Sequence, residues 1–176
     1  MAEPKVADGW RLQRLTPPSA LFGANGLRDG PAGRLYIAQC IGSQIGALDV
    51  DTGRIETVYA MGGDIIGPDD IAFDRAGGMY VTECMNARVS VIGKDGKARV
   101  LRGDLPGANG ITFHQERLFV DECRLGGRLL EIDPGSGAIR VIVEDIDLPN
   151  ALAAGPDGLL YYPLVGAGEI WRVHPD

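Results

Sequence analysis

Residues 23–40, GANGLRDGPAGRLYIAQC, decide the fold. They read as a β-hairpin: an inner strand, a turn over Asp29-Gly30-Pro31-Ala32-Gly33, and a second strand ending at Gln39-Cys40. Asn25-Gly26 is itself a turn signal, yet it stands at the start of the first strand. The stretch returns three times. GPDDIAFDRAGGMYVTEC begins at Gly67, GANGITFHQERLFVDEC at Gly107 and LPNALAAGPDGLLYYPLV at Leu148. The polar residue near each start is Asn25, Asp69, Asn109 and Asn150, at spacings of 44, 40 and 41 residues. That period is the length of a four-stranded propeller blade.

The remainder of each repeat supplies two more strands. QIGALDV and RIETVYA flank Asp51-Thr52-Gly53 in the first repeat. RVSVIG and ARVLRG flank Lys94-Asp95-Gly96 in the second, and GRLLEID and AIRVIVE flank Pro134-Gly135-Ser136-Gly137 in the third. Alternating apolar residues between Asp-Gly and Thr-Gly turns are what strands and hairpins need. No stretch carries the period of an amphipathic helix. The expected fold is all-β: a β-propeller region over 1–176, with blades at about 20–62, 63–104, 105–147 and 148–176.

The fourth repeat has three strands, the third being EIWRVH. Trp10-Arg11-Leu12-Gln13-Arg14-Leu15 (within residues 9–16) is a spare strand that would fill the vacant outer place. Two architectures stay open: a complete four-bladed propeller, or part of a six-bladed one completed by a second polypeptide.

Composition narrows the function. Hydrophobic residues make up 45%, enough for a core, and Gly 26 with Pro 11 suit many tight turns. The net charge of -7 disfavours nucleic acid, which needs a basic patch. No apolar run is long enough to span a membrane and no secretion signal opens the chain. Three cysteines without a CxxC read as reduced thiols, so a cytoplasmic location is expected.

Because the innermost strand of a blade runs along the channel, Asn25, Asp69, Asn109 and Asn150 are expected to ring one channel mouth. Gln39, Glu83, Glu122 and Leu164 are expected to face them across each hairpin. A ring of Asn and Asp oxygens suits a hard cation, calcium first and zinc second. Glu122 would join Asn25, Asp69, Asn109 and Asn150 as a metal ligand, and Asp69 or Glu83 would serve as general base. Cys40, Cys84 and Cys123 occupy one repeat position and read as small residues packed between blades. His114 and His174 fall away from the mouth, and no GxSxG elbow is present.

GPDDIAFDRAGGMYVTEC and GANGITFHQERLFVDEC resemble the blade motifs of the gluconolactonase / senescence-marker-protein / luciferin-regenerating-enzyme family. The resemblance covers Leu21 to Val173, about four blades of that family's six. It implies a calcium- or zinc-dependent lactonase acting on a small molecule, akin to diisopropylfluorophosphatase-like and paraoxonase-like esterases. The family's axial ion is held by a first-blade Glu, an Asn of an Asn-Gly pair and a later Asp, with another Asn near the substrate. Asn109-Gly110 matches the Asn-Gly ligand and Asn150 the later Asp. Asp69 matches the substrate-side Asn and Asn25 the first-blade Glu, so acids and amides are exchanged between positions. The expected activity is hydrolysis of lactones or related esters at the central channel. A propeller lyase or isomerase using the same site, and a non-catalytic binding propeller, are the alternatives.

Overall fold

The computed structural model describes residues 4–18 and 20–176. The first sheet comprises β1 (Ala24–Asp29), β2 (Leu35–Gln39), β3 (Gln44–Leu48) and β4 (Ile55–Tyr59). The second has β5 (Ile71–Phe73), β6 (Met79–Glu83), β7 (Arg88–Ile92) and β8 (Ala98–Arg102). The third has β9 (Ala108–His114), β10 (Arg117–Glu122), β11 (Gly127–Ile132) and β12 (Ile139–Ile146). The fourth has β13 (Ala153–Ala154), β14 (Leu160–Leu164) and β15 (Glu169–Val173). Each is an antiparallel meander in chain order, and the set forms the blades of a β-propeller. Two single 3-10 turns, Pro31–Gly33 and Cys84–Asn86, are the helical elements among the described residues.

The turn chemistry follows from side chains that fold back on the backbone. Asp49 Oδ1 accepts the N–H groups of Asp51 and Thr52, both at 3.0 Å, before β4. Asp133 Oδ1 does the same for Ser136, at 2.7 Å, before β12. Gly53 and Gly137 close these turns at φ 71° and 73°, where a side chain is strained.

Period-two alternation sends successive residues of one strand into different seams. Leu118 and Val120 enter the core shared with the second sheet, while Phe119 between them enters the core shared with the fourth. Tyr36, Ile45, Ile71 and Val81 fill the first–second seam. Tyr80, Leu105 and Ile111 help fill the second–third seam. Leu152, Leu160 and Tyr162 help fill the third–fourth seam. Edge-on aromatic pairs cross the first two: Tyr36–Phe73 at 4.7 Å and Tyr80–Phe113 at 5.1 Å between ring centroids. Among the described residues no buried core joins the fourth sheet to the first.

Residues 9–16 carry no strand, contrary to the closing role expected for Trp10–Leu15. Trp10 is 76% exposed, and among the described residues β15 pairs with β14 alone.

Candidate functional site

A β-bulge opens the inner strands and sets the site. Ala24 pairs with Gln39, and the next pair is Leu27 with Ile37, so Asn25 and Gly26 together oppose Ala38. Ala108 pairs with Glu122 and Ile111 with Val120, so Asn109 and Gly110 together oppose Asp121. The expected pairings of Asn25 with Gln39 and Asn109 with Glu122 are therefore off by one residue. A bulge re-aims the side chains beside it. Here it parts the Asn from the Gln or Glu that a regular hairpin would set opposite.

Three members of the expected ring are linked in one chain of hydrogen bonds. Asn25 Nδ2 donates to Asp69 Oδ1, and Asn109 Nδ2 donates to Asp69 Oδ2 at 2.7 Å. The backbone N–H of Ala151 donates to Asn109 Oδ1 at 3.4 Å. Asn150 lies beside them but turns its Nδ2 toward Cys123 Sγ, 3.7 Å away. With Arg28 and Asp70, the four ring residues line a cavity of about 490 Å³. Gly26 and Gly110 do not serve as positive-φ bends. A Cβ on Gly26 would stand 2.5 Å from Asp69 O, and one on Gly110 would stand 2.6 Å from Leu152 N. They are glycines because the inner strand of the next blade passes directly over them.

Glu83 and Glu122 do not reach this cavity. Glu83 is fully buried and accepts from Arg88 Nε (2.9 Å), Arg88 Nη2 (2.7 Å), Ser90 Oγ (2.6 Å) and Ile66 N (2.7 Å). Glu122, equally buried, is held by Arg124 and Arg128. Roles for Glu83 as base and Glu122 as ligand are corrected accordingly: each carboxylate is already neutralised in a dry place. The repeat explains both. Gln39 accepts the N–H of Phe22, and Glu83 that of Ile66, each three residues before its ring residue. The third repeat has Pro106 there, which has no N–H, and Glu122 takes arginines instead.

The structure adds residues that the repeat concealed. Arg28 Nε donates to Ile71 O (2.7 Å), and its Nη2 donates to Asp70 Oδ2 (3.0 Å) and Ile111 O (2.9 Å). One guanidinium thus ties the inner strands of three blades. Both partners break their repeat columns. Arg28 stands where the other blades have Ala72, Thr112 and Ala153, and Asp70 where they have Gly26, Gly110 and Ala151. Two charged exceptions in otherwise small columns were the available signal.

Burial raises the carboxyls of this region. Asp69 is pushed up by desolvation, with the Asn25 hydrogen bond opposing and the Asp70 charge adding. Asp70 is pushed up by burial and drawn back by Arg28. Asp121 rises furthest: burial dominates, the Gly110 N–H opposes, and Asp70 and Asp69 add. Its Oδ1 accepts Gly110 N at 2.8 Å, and its buried Oδ2 has no partner among the described residues. A carboxyl whose folded pKa exceeds its unfolded value of about 3.9 stabilises fully below that pH. The contribution is lost as pH rises through the folded value. Thermal melts across pH 4–8 are thus expected to show wild type losing stability relative to Asp121→Asn as pH rises.

The cysteines are free and half-buried, each near the ring residue of the next blade. Cys123 accepts from Asn150, Cys84 lies against Asn109, and Cys40 feels the charge of Asp69. Burial raises all three thiols, the reverse of what a nucleophile needs. His114 ends β9 and His174 follows β15, neither lining the cavity.

No protein-family profile matches the chain, and no curated protein matches it. Solved structures do. A structure of the nidogen/laminin complex superposes with TM-score 0.77 at 22% identity, over 86% of this chain and 60% of that one. Catalytically inactive H270A virginiamycin B lyase from Staphylococcus aureus, with quinupristin, gives 0.72 at 24%, over 91% and 55%. XC5397 from Xanthomonas campestris, described as a gluconolactonase, gives 0.72 at 17%, over 89% and 64%. The chain therefore spans 55–64% of the length of these three neighbours. No helix among the described residues is long and apolar enough to cross a membrane. Identities this low carry architecture alone, and with the sheets above they establish the chain as a β-propeller.

Proposed function

We propose that this chain carries the axial site of a metal-dependent hydrolase of lactones or related esters. One observation carries the reading. Asp69 is the carboxylate that borders the cavity without an arginine, held between the amides of Asn25 and Asn109. The gluconolactonase neighbour is consistent with it.

The donor set suits one of the two expected ions better than the other. Among the described residues no three His, Cys, Asp or Glu side chains are grouped as a metal site. That counts against zinc, which takes imidazole, thiolate and carboxylate ligands. One carboxylate with three amides is an all-oxygen set of the kind calcium accepts, at low charge and so at modest affinity. Asn25, Asp69, Asn109 and Asn150 are the residues that would hold it. When bound, the ion would polarise the ester or lactone carbonyl as a Lewis acid.

The protein's own groups do the rest. Asp69 takes a proton from the attacking water, and its burial moves it toward the range a general base needs. Asn25 and Asn109 fix the orientation of its two oxygens. Arg28 holds the three inner strands in register and neutralises Asp70, so that Asp69 is the carboxylate left to act.

The test is turnover of δ-lactones and aryl esters by protein stripped with chelator, then reloaded. The expected result is loss on stripping, recovery with calcium rather than zinc, and one solvent oxygen in the product from heavy-oxygen water. Turnover indifferent to chelator, or product without solvent oxygen, would overturn the reading.

A further inference from the structure

Arg28 is more than a tie between blades. It borders the cavity and is the cationic side chain there among the described residues. Two of its three nitrogens are spent: Nε on Ile71 O, and Nη2 on Asp70 Oδ2 and Ile111 O. Nη1 has no partner among the described residues and is open to solvent, in a side chain that is 28% exposed. The bonds at 2.7, 3.0 and 2.9 Å lock the guanidinium plane, so Nη1 meets a ligand with little further loss of side-chain freedom. The nearby amides are engaged elsewhere: those of Asn25 and Asn109 turn to Asp69, and that of Asn150 turns to Cys123. Depth along the channel follows from register. Ile71 and Ile111 come two residues after Asp69 and Asn109. At a strand rise of about 3.3 Å per residue, their carbonyls stand roughly 6–7 Å farther along the channel than the ring.

We infer that Arg28 is a carboxylate subsite, and that the substrate is a lactone or ester bearing one carboxylate a few bonds from the carbonyl that is cleaved. The inference rests on the hydrolase reading above for its scissile group. Charge selects the ligand. Asp69 and Asp70 bring two negative charges to the cavity, and Arg28 with a bound calcium ion brings three positive ones. One carboxylate matches the single charge left over, whereas a phosphate monoester, at about −2, overshoots it. Nη1 offers N–H groups and no acceptor, so a carboxylate is a stronger partner for it than a hydroxyl. Length selects the shape. With the reacting carbonyl at the ring beside Asp69, a short side chain spans the roughly 6–7 Å to the guanidinium. The repeat supports a dedicated role. The same position is Ala72, Thr112 and Ala153 in the other blades, so a blade does not need an arginine there to form its hairpin.

Two probes separate charge from shape. Glutaramate carries one carboxylate and an amide carbonyl, and glutaramide carries no charge. Each is titrated into calcium-loaded protein while nitrogen NMR follows the Arg28 guanidinium. Glutaramate is expected to shift the Arg28 resonances saturably, and glutaramide to leave them in place. Turnover is compared for a γ-lactone with an acetate side chain and for its primary amide, in wild type and in Arg28→Gln/Asp70→Asn. That pair of changes removes both charges of the ion pair and strands neither. The carboxylate is expected to raise kcat/KM about 10–100-fold in wild type, and the ratio to fall to near unity in the variant. Because both substrates meet the same protein, a fall in folded fraction cancels from the ratio. An unmoved Arg28 signal with glutaramate, or equal turnover of the two lactones by wild type, would overturn the inference. So would a ratio kept in the variant, which would put the carboxylate on the ion. Glutaramate seated on Arg28 with neither lactone turned over would uphold the subsite and overturn the hydrolase reading instead.

Discussion

Asp69→Asn is expected to lower turnover by a factor of about 10²–10⁴, the usual contribution of a positioned acid–base group. The substitution keeps the side chain's shape and removes the proton acceptor. The Asn25 amide can still donate to the new carbonyl oxygen. The Asn109 amide, which donates at 2.7 Å in the native chain, meets an NH₂ and must turn its own oxygen toward it. An amide that swings in place costs little, so melting should shift by only a few degrees while kcat collapses. Steady-state kinetics beside thermal melts separate the two effects. A variant that keeps a third or more of the activity would show that the reaction does not use this carboxylate. Loss of activity together with loss of fold would assign Asp69 to structure instead.

Glu83→Ala is expected to do the reverse. Glu83 is fully buried and accepts from five donors, two of them on Arg88. Removing it leaves Ser90 Oγ and Ile66 N without their acceptor and Arg88 without its counter-charge. Breaking a buried ion pair on one side costs about 3–5 kcal/mol. Roughly 2–4 °C of melting temperature goes with each kcal/mol in a domain of this size, so a fall on the order of 10 °C is expected. The turnover of the protein that remains folded should be unchanged, measured well below the new transition. Glu83→Gln retains two acceptor sites and an isosteric shape, and should fall between wild type and alanine. A Glu83→Ala protein that melts normally yet has lost its activity would return Glu83 to the catalytic machinery.

The two variants bracket what could be read from the repeat. Asn25, Asp69 and Asn109 converge as their shared position predicts, because four in-register repeats place equivalent residues around one axis. Asn150 joins them in lining the cavity, though its amide turns to Cys123. A hairpin read as regular puts Glu83 and Glu122 opposite the ring; one bulged residue undoes that for Glu122, and Arg88, Ser90 and Ile66 hold Glu83 elsewhere. Asn25-Gly26 reads as a turn signal, yet what demands Gly26 and Gly110 is the backbone of a neighbouring blade. The pairing of Arg28 with Asp70 spans 42 residues and joins two blades, and nothing in either hairpin alone announces it.

The sequence by itself determined the class of structure: strands of period two, Asp- and Gly-bearing turns, and a repeat near 40 residues that only a bladed architecture explains. These are local properties, written into alternation and turn chemistry within each repeat. Tertiary structure alone decided which carboxylates stay available and which are consumed. It also decided that Trp10–Leu15 leaves the open edge of β15 unpaired and that Leu27 and Tyr161 remain uncovered. Those outcomes depend on contacts between blades. A side chain's partner there is chosen by the packing of two sheets, and a one-residue bulge in either changes which groups meet.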